Sequence, residues 1–131
     1  MKNTYVCPHC QGVLNPNVKI LLVAEFRKSR GMLLLSPQPG NYKFTCDKSF
    51  EDKLERGKLV DFSCPMCGEN LEDDHNRKFA RIEMLAPGHA PRQVAFSRTF
   101  GTHATFILDG EDISSFGEDA EDFGSTNFFG A

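Results

Sequence analysis

The chain has 131 residues, of which 40% are hydrophobic and twelve are phenylalanine, so it is long enough for one domain with an apolar core. No run approaches the eighteen consecutive apolar residues of a membrane-spanning helix, so no membrane segment is expected. The formal net charge of −3 excludes a strongly basic protein. The charge is uneven, because six of the eighteen acidic residues and no lysine or arginine lie in residues 110–131, which leaves residues 1–109 mildly basic.

The first β-favouring stretch, Tyr5-Val6, runs directly into Cys7-Pro8-His9-Cys10. A strand followed by a tight turn with two cysteines, called a knuckle below, places both thiolates on the same side of the backbone. Pro8 restricts φ in the turn, and Gly12 is expected to permit the backbone bend that follows. His9 is expected to point outward from the turn rather than to bind a metal.

A β-hairpin is predicted next. Residues 18–26 are rich in β-branched and aromatic side chains and are predicted to form a strand, residues 27–31 a turn, and residues 32–35 the returning strand. Three cations, Arg27, Lys28 and Arg30, would lie at the tip of this hairpin. Such a tip can bind nucleic acid by displacing counterions from phosphates, but a solvated turn is the favoured explanation.

The stretch after the hairpin contains a third predicted strand and a short predicted helix. Residues 42–46 alternate like a strand, and Cys46 at its end is expected to be a buried apolar thiol. Ser49 begins a sequence that resembles a capping box, and Gly57 is a suitable helix terminator. These signals predict a helix over residues 50–56.

The second knuckle, Cys64-Pro65-Met66-Cys67, follows the β-favouring residues 59–62 and precedes Gly68. Two knuckles of the same Cys-Pro-x-Cys form predict one metal site with four cysteine ligands. Residues 11–63 separate them, which is more than in short sites of this kind. The entropic cost of closing a loop grows only with the logarithm of its length, so the longer separation costs roughly 1 kcal/mol extra. A structural Zn²⁺ contributes about 10–16 kcal/mol in small peptides, so the long spacing is tolerable.

The ligand count predicts the role of the metal. Four cysteines fill a tetrahedral coordination sphere, whereas a catalytic zinc keeps one position open, so a structural Zn²⁺ is expected. A thioredoxin-like redox pair is disfavoured because no helix starts after either pair. Disulfides are disfavoured because the cysteine count is odd and no signal peptide is recognisable, and a cytoplasmic location is therefore expected.

Three strands with short connections are predicted after the second knuckle, over residues 79–85, 93–100 and 103–108. Their apolar side chains alternate, so they are expected to form an antiparallel meander. Arg98 is unusual on an otherwise apolar face and is expected to pair with a carboxylate or to reach the end of the sheet. His103, near several polar residues, suggests a small polar site without a recognisable nucleophile motif.

The acidic segment of residues 110–131 has no sustained period of 2 or 3.6. Acidic residues with interspersed aromatics are typical of a disordered segment that docks on another protein, and a passive solubilising tail is the alternative. The docking residues would be Phe116, Phe123, Phe128 and Phe129. The predicted organisation is thus a β domain over residues 1–109 and an acidic tail over residues 110–131.

The two knuckles resemble the zinc-ribbon and rubredoxin-like group over residues 4–14 and 59–71. The residues Phe96-Ser97-Arg98 and Gly101-Thr102-His103-Ala104-Thr105-Phe106 also look like those of small bacterial zinc-ribbon proteins. The resemblance implies metal ligation by Cys7, Cys10, Cys64 and Cys67, with zinc expected and iron as the alternative. The expected fold is mainly β: a zinc ribbon with an inserted hairpin, packed beside a three-stranded antiparallel meander.

The expected function follows from a metal site whose four positions are all taken by cysteines and from the lack of catalytic motifs in the sequence. The leading hypothesis is a non-enzymatic zinc protein that acts as an adaptor or regulator by contacting a protein partner through its C-terminal tail. The alternatives are a zinc ribbon that binds nucleic acid through the hairpin tip and a rubredoxin-like iron protein that carries electrons.

Overall fold

The computed structural model describes residues 3–110 and 112–123. These residues form a mainly β structure with nine strands, one α-helical turn and one 3-10 turn. The elements are β1 (Thr4–Val6), β2 (Ile20–Phe26), β3 (Ser29–Leu35), β4 (Phe44–Cys46), α1 (Lys48–Glu51), β5 (Asp61–Ser63), β6 (Phe79–Leu85), β7 (Arg92–Ser97), β8 (Thr105–Asp109), β9 (Asp112–Phe116) and a 3-10 helix (Ala120–Phe123). None of the described helices is long and apolar enough to cross a membrane.

The strands form two antiparallel sheets. The five-stranded sheet has the order β1-β6-β7-β8-β9, and the four-stranded sheet has the order β4-β3-β2-β5. Strand β1 is an edge of the first sheet and pairs with β6, whereas β5 is an edge of the second and pairs with β2. Since β1 precedes Cys7 and β5 precedes Cys64, the two knuckles begin at the edges of different sheets.

The main core lies between the two sheets. Along β2 the side chains alternate between buried and half-buried, which turns one apolar face inward. Ala80, Ile82 and Met84 on β6 are buried in the same core, as their alternation predicts. An edge-to-face contact between Phe62 and Phe96, with centroids 5.4 Å apart, joins strands from different sheets. Each large apolar side chain buried here contributes about 1.5–3 kcal/mol, so this interface supplies most of the hydrophobic stabilisation.

The predicted hairpin is present, but its turn is shorter than predicted. Arg27 and Lys28 form a two-residue turn, with φ of 47° and 70°. Two consecutive residues with positive φ match the twist of the flanking strands, so pairing continues to the turn. The turn predicted over residues 27–31 is wrong in its second half, because residues 29–31 pair with β2. Gly31 pairs with Ala24, and glycine suits this strand position because a Cβ there would lie 2.9 Å from the ring of Phe50.

The helix predicted over residues 50–56 is also wrong. The only α-helix among the described residues is the single turn α1, and its N-cap is Asp47 rather than Ser49. The Asp47 carboxylate accepts a hydrogen bond from the Ser49 N–H at 3.1 Å. Burial of Phe50 against the sheet fixes this turn, and local capping signals gave a helix that was too long and began too late.

The predicted three-stranded meander is part of a larger sheet. Strand β6 has the predicted bounds, and β7 and β8 follow with short connections. The acidic segment then begins with β9, in which Ile113 lies opposite Leu108 and Phe116 opposite Thr105. This differs from the prediction of an unstructured tail from residue 110, because backbone pairing with β8 outweighs the acidic composition of the strand.

The outer face of the five-stranded sheet has a second, smaller apolar cluster. Its buried members are Phe79, Ala95, Ala104, Phe106, Leu108 and Ala120. The segment leading into the 3-10 helix is attached to the sheet through His103. The His103 N–H donates to the Asp119 carboxylate at 2.8 Å, and the Asp119 N–H donates to the His103 carbonyl at 3.0 Å.

Candidate metal centre

Both knuckles have the same backbone geometry. In the first, the Cys7 N–H donates to the Gly12 carbonyl and the Gln11 N–H returns to the Cys7 carbonyl, at 3.0 and 2.9 Å. In the second, the Cys64 N–H donates to the Glu69 carbonyl at 3.1 Å, and the Gly68 N–H donates to the Cys64 carbonyl at 3.0 Å. Each turn then leads the chain back beside its own strand, through the isolated bridges Val6↔Val13 and Ser63↔Asn70. The repeated sequence motif therefore folds into a repeated structure.

The four sulfur atoms of the two knuckles lie together. The Sγ atoms of Cys7 and Cys67 are 3.8 Å apart, as are those of Cys10 and Cys64, and all four lie within 4.8 Å of one another. A tetrahedral ion with Zn–S bonds of about 2.3 Å requires sulfurs about 3.8 Å apart. All four cysteines are free thiols rather than disulfides. The predicted ligands thus form a cluster with spacings that suit a tetrahedral metal ion.

Backbone N–H groups surround the sulfurs. Those of His9 and Gly12 lie 3.3 and 3.4 Å from the Sγ atoms of Cys7 and Cys10, respectively. Those of Met66 and Cys67 lie 3.3 and 3.5 Å from the Sγ of Cys64. Donors of this kind stabilise the negative charge of thiolates. The His9 side chain is exposed, and the cluster consists of cysteines alone, as predicted.

The two knuckles have the same burial pattern. The first cysteine of each pair, Cys7 or Cys64, is buried at 0% or 1% exposure, whereas the second, Cys10 or Cys67, is exposed. Each knuckle is therefore anchored in the core by one ligand and reaches the surface with the other. Four thiolates would complete a tetrahedral sphere, which is the arrangement of structural rather than catalytic zinc sites.

Burial and hydrogen bonding act differently on the two buried thiols. Burial raises the pKa of Cys7 to about 12. Burial also acts to raise the pKa of Cys64, but hydrogen bonds from the N–H groups of Cys67 and Met66 and from the thiols of Cys10 and Cys67 together outweigh it and leave that pKa below its usual value. A metal ion binds cysteine as thiolate, so binding must displace the protons of the four thiols. Metal affinity should therefore weaken as the pH falls.

The positive-φ position of each knuckle comes directly after its second cysteine. It is occupied by Gly68 at φ 78° in the second knuckle and by Gln11 at φ 62° in the first. The expectation that Gly12 permits the first bend is therefore wrong. Gln11 adopts the bend, and its amide donates to the Cys7 carbonyl and to Glu83 at 3.3 and 3.1 Å. Gly12 instead leaves room for Met66, whose sulfur would lie 2.5 Å from a Cβ at this position.

Replacing Gly68 with alanine should lower the free energy of unfolding of the metal-loaded protein by about 1 kcal/mol, because a Cβ is unfavourable at this positive φ. Nothing lies within 4 Å of the position that this Cβ would take, so the penalty comes from the backbone alone. Urea denaturation measures the change. Glu69→Ala is the matched control, since its side chain is exposed, and it should change the value by less than about 0.5 kcal/mol. Equal effects of the two substitutions would refute the conformational explanation.

The cations at the hairpin tip are partly neutralised by neighbouring acids. Arg27 forms an ion pair with Glu55, and Arg30 lies 3.5 Å from Glu25. Lys28 is exposed in the turn. The predicted cluster therefore exists in space, but its two arginines already have carboxylate partners, which lowers the positive potential available to phosphates.

Two of the four predicted docking phenylalanines, Phe116 and Phe123, lie within the described residues. Phe116 ends β9 and is half-buried against the main core, and its carbonyl accepts a hydrogen bond from the Tyr42 hydroxyl at 3.0 Å. It is therefore part of the fold rather than a free anchor. The backbone of Phe123 ends the 3-10 helix, and Phe128 and Phe129 lie outside the described residues. Cys46 is half-buried in β4 and does not belong to the four-cysteine cluster.

Arg98 pairs with carboxylates, as expected for a cation on an otherwise apolar face. Its buried guanidinium forms ion pairs with Asp61 at 2.5 Å and with Glu72 at 2.9 Å. It also donates to the carbonyls of Val60, at 3.0 Å, and of Arg77. Because Arg98 follows β7 and Asp61 begins β5, these contacts tie the two sheets together.

Tyr42 and His103 form a polar group beside the core that was not predicted from the sequence. The rings of Tyr42 and His103 are stacked with centroids 4.5 Å apart, and Nδ1 of His103 lies 2.8 Å from the Glu118 carboxylate. The Tyr42 hydroxyl shares a hydrogen bond with Thr105 at 2.9 Å. Because these residues lie far apart along the chain, no local sequence pattern predicted their contact. The only indication was the polar neighbourhood of His103.

Comparison of the chain with models of known families, with curated proteins and with solved structures gives no match.

Proposed function

We propose that this protein is a non-enzymatic zinc-binding protein that acts as an adaptor or regulator through contacts with another protein. The observation that supports zinc binding is the pair of 3.8 Å sulfur–sulfur distances within a cluster of four cysteines. Such spacing matches a tetrahedral Zn²⁺ with four thiolate ligands. A metal held between β1 of one sheet and β5 of the other would act as a structural clamp.

An iron-loaded, rubredoxin-like electron carrier is the second candidate function. It is favoured by the exposure of Cys10 and Cys67, since electrons enter and leave a metal site most readily through ligands at the surface. Elemental analysis and the visible spectrum of protein purified from its native source distinguish the two metals. One zinc per chain and no visible absorption are expected. One iron per chain with the visible absorption of ferric thiolate would overturn the assignment of zinc.

Nucleic-acid binding through Arg27, Lys28 and Arg30 has less support, because Glu55 and Glu25 pair with the two arginines. It is tested by titrating duplex and single-stranded oligonucleotides at low salt. Phosphate contacts would give an affinity that falls steeply with salt concentration. No saturable binding is expected, and salt-dependent binding that is lost in Arg27→Gln would favour this function instead.

The acidic segment is our proposed docking element, and β9 limits where it can be truncated. A deletion from residue 110 would remove a strand of the sheet, whereas deletion of residues 124–131 keeps β9 and the buried Ala120. The expected result is at least a tenfold loss of affinity for the partner, because two of the three remaining docking residues, Phe128 and Phe129, are removed and only Phe123 is kept.

The partner would be identified by crosslinking and mass spectrometry, and its affinity measured by calorimetry with purified proteins. Phe128→Ser combined with Phe129→Ser should reproduce the loss, and Asn127→Ser serves as the matched control. Circular dichroism verifies that the fold is retained. An unchanged dissociation constant for the truncated protein would remove the segment from the proposal.

A further inference from the structure

A cavity of about 250 Å³ lies between the two sheets and is partly open to solvent. Its walls are mainly apolar and come from both sheets, with Leu33 and Phe50 on one side and Ile82, Val94 and Phe96 on the other. The loops of residues 36–42 and 99–103 contribute polar groups to its lining. None of the four clustered cysteines lines it, so this space is separate from the metal centre.

The volume of the cavity limits how much of an apolar ligand it can hold. An apolar cavity of about 150 Å³ in another protein stays dry and binds benzene, which has six carbon atoms. By proportion, about 250 Å³ has room for roughly ten carbon atoms. Binding sites for small molecules commonly combine such apolar walls with a few polar groups that orient the ligand. The polar groups of the lining therefore decide the chemical class.

Most polar groups of the lining already have partners. The Arg98 guanidinium is paired with Asp61 and Glu72, and the His103 ring is paired with Glu118. The Tyr42 hydroxyl is engaged by Thr105 and by a backbone carbonyl. None of these groups has to bind a ligand in order to be satisfied.

Arg56 differs from these residues. Arg56 is exposed to solvent and lines the cavity; within residues 3–110 and 112–123 its side chain forms no ion pair, and no side chain accepts a hydrogen bond from it. Its guanidinium lies against Gly101, where a Cβ would be 3.2 Å from the central carbon and 3.3 Å from Nε. Gly101 has φ of 89°, which itself favours glycine, and the absence of a Cβ also lets the guanidinium lie against the backbone beside the cavity. A guanidinium in this position can bind a carboxylate through two parallel hydrogen bonds.

We propose that the cavity binds an apolar carboxylic acid of about ten carbon atoms, with the hydrocarbon part between the sheets and the carboxylate on Arg56. A straight-chain or bicyclic acid meets the size limit, and the unpaired guanidinium selects the anion over a neutral analogue. This site goes beyond the proposed adaptor function and does not depend on which metal the cysteines hold.

The test uses calorimetric titration of the full-length, metal-loaded protein with decanoate, below its micelle concentration. Decanoate should bind saturably with one site per chain, and butyrate, which is too short to fill the cavity, should bind at least tenfold more weakly. Arg56→Gln should weaken decanoate binding about tenfold or more and leave binding of the neutral decanol unchanged. Lys43→Gln removes the same charge from an exposed residue outside the lining and should leave both affinities unchanged.

Two results would overturn the proposal. No saturable binding of decanoate excludes the site, and equal losses in Arg56→Gln and Lys43→Gln exclude a specific role of Arg56. The position of the ligand is tested in the unaltered protein by methyl NMR, which avoids variants that fold poorly. Decanoate should shift the methyl signals of Leu33, Ile82 and Val94, and shifts confined to surface methyl groups such as Val18 would place the ligand outside the cavity.

Discussion

Replacing Cys64 with serine should abolish tight metal binding and lower the melting temperature by at least about 15 °C. Structural zinc contributes about 10–16 kcal/mol in small peptides, and a whole domain is stable by only about 5–15 kcal/mol. Loss of even a third of the metal contribution would remove about 4 kcal/mol, and each kcal/mol shifts the melting temperature of a chain of this size by roughly 4 °C.

The structure explains why this ligand should matter so much. Cys64 is buried and follows β5, which contacts the rest of its sheet through three registered pairs with β2. Cys7 is buried and follows β1, which has three registered pairs with β6. Such short edge strands have little pairing energy of their own, so the metal would hold both edges and both knuckles in place.

Metal content measured by elemental analysis, together with calorimetric melting, tests this prediction. Cys46→Ser is the matched control, because this half-buried thiol lies outside the cluster and one metal ion per chain should be retained. Treatment of the unaltered protein with a strong chelator should lower its melting temperature by a similar amount. A Cys64→Ser variant that keeps one metal ion and melts within a few degrees of the original would contradict the four-cysteine assignment.

Replacing Arg98 with methionine should lower the free energy of unfolding by about 3 kcal/mol. Removing one partner of a buried ion pair typically costs about 3–5 kcal/mol, because the groups left behind are desolvated and unpaired. Asp61 is half-exposed and can recover water, which moves the expected value to the lower end of that range. The carbonyls of Val60 and Arg77 lose their side-chain donor, which adds to the cost.

Lysine cannot replace Arg98. A single ammonium group has three donors at one point, whereas the Arg98 guanidinium reaches two carboxylates and two carbonyls in different directions. Arg98→Lys should therefore cost at least about 2 kcal/mol as well.

Urea denaturation of the metal-loaded protein measures both Arg98 changes. Arg30→Met is the matched control, because that side chain is 69% exposed and its pair with Glu25 should contribute less than about 0.5 kcal/mol. If Arg98→Met is no more destabilising than Arg30→Met, the guanidinium does not tie the sheets together as we infer.

The sequence by itself determined the features that depend on neighbouring residues. The two Cys-Pro-x-Cys motifs predicted four metal ligands, since the spacing within each pair fixes where two sulfurs can point. Alternating apolar residues predicted β6 with its observed bounds and its buried face, because a strand turns successive side chains to opposite sides. These signals are local and survive without knowledge of the remaining chain.

Only the tertiary structure decided what depends on residues far apart in the chain. It placed the knuckles at edges of different sheets, added β1 and β9 to the predicted meander and shortened the predicted helix to one turn. It also brought Asp61 and Glu72 to Arg98, and the apolar walls of two sheets around the cavity beside Arg56. Sheet order and cavity shape arise from how whole faces pack against each other, and no local period in the sequence encodes that arrangement.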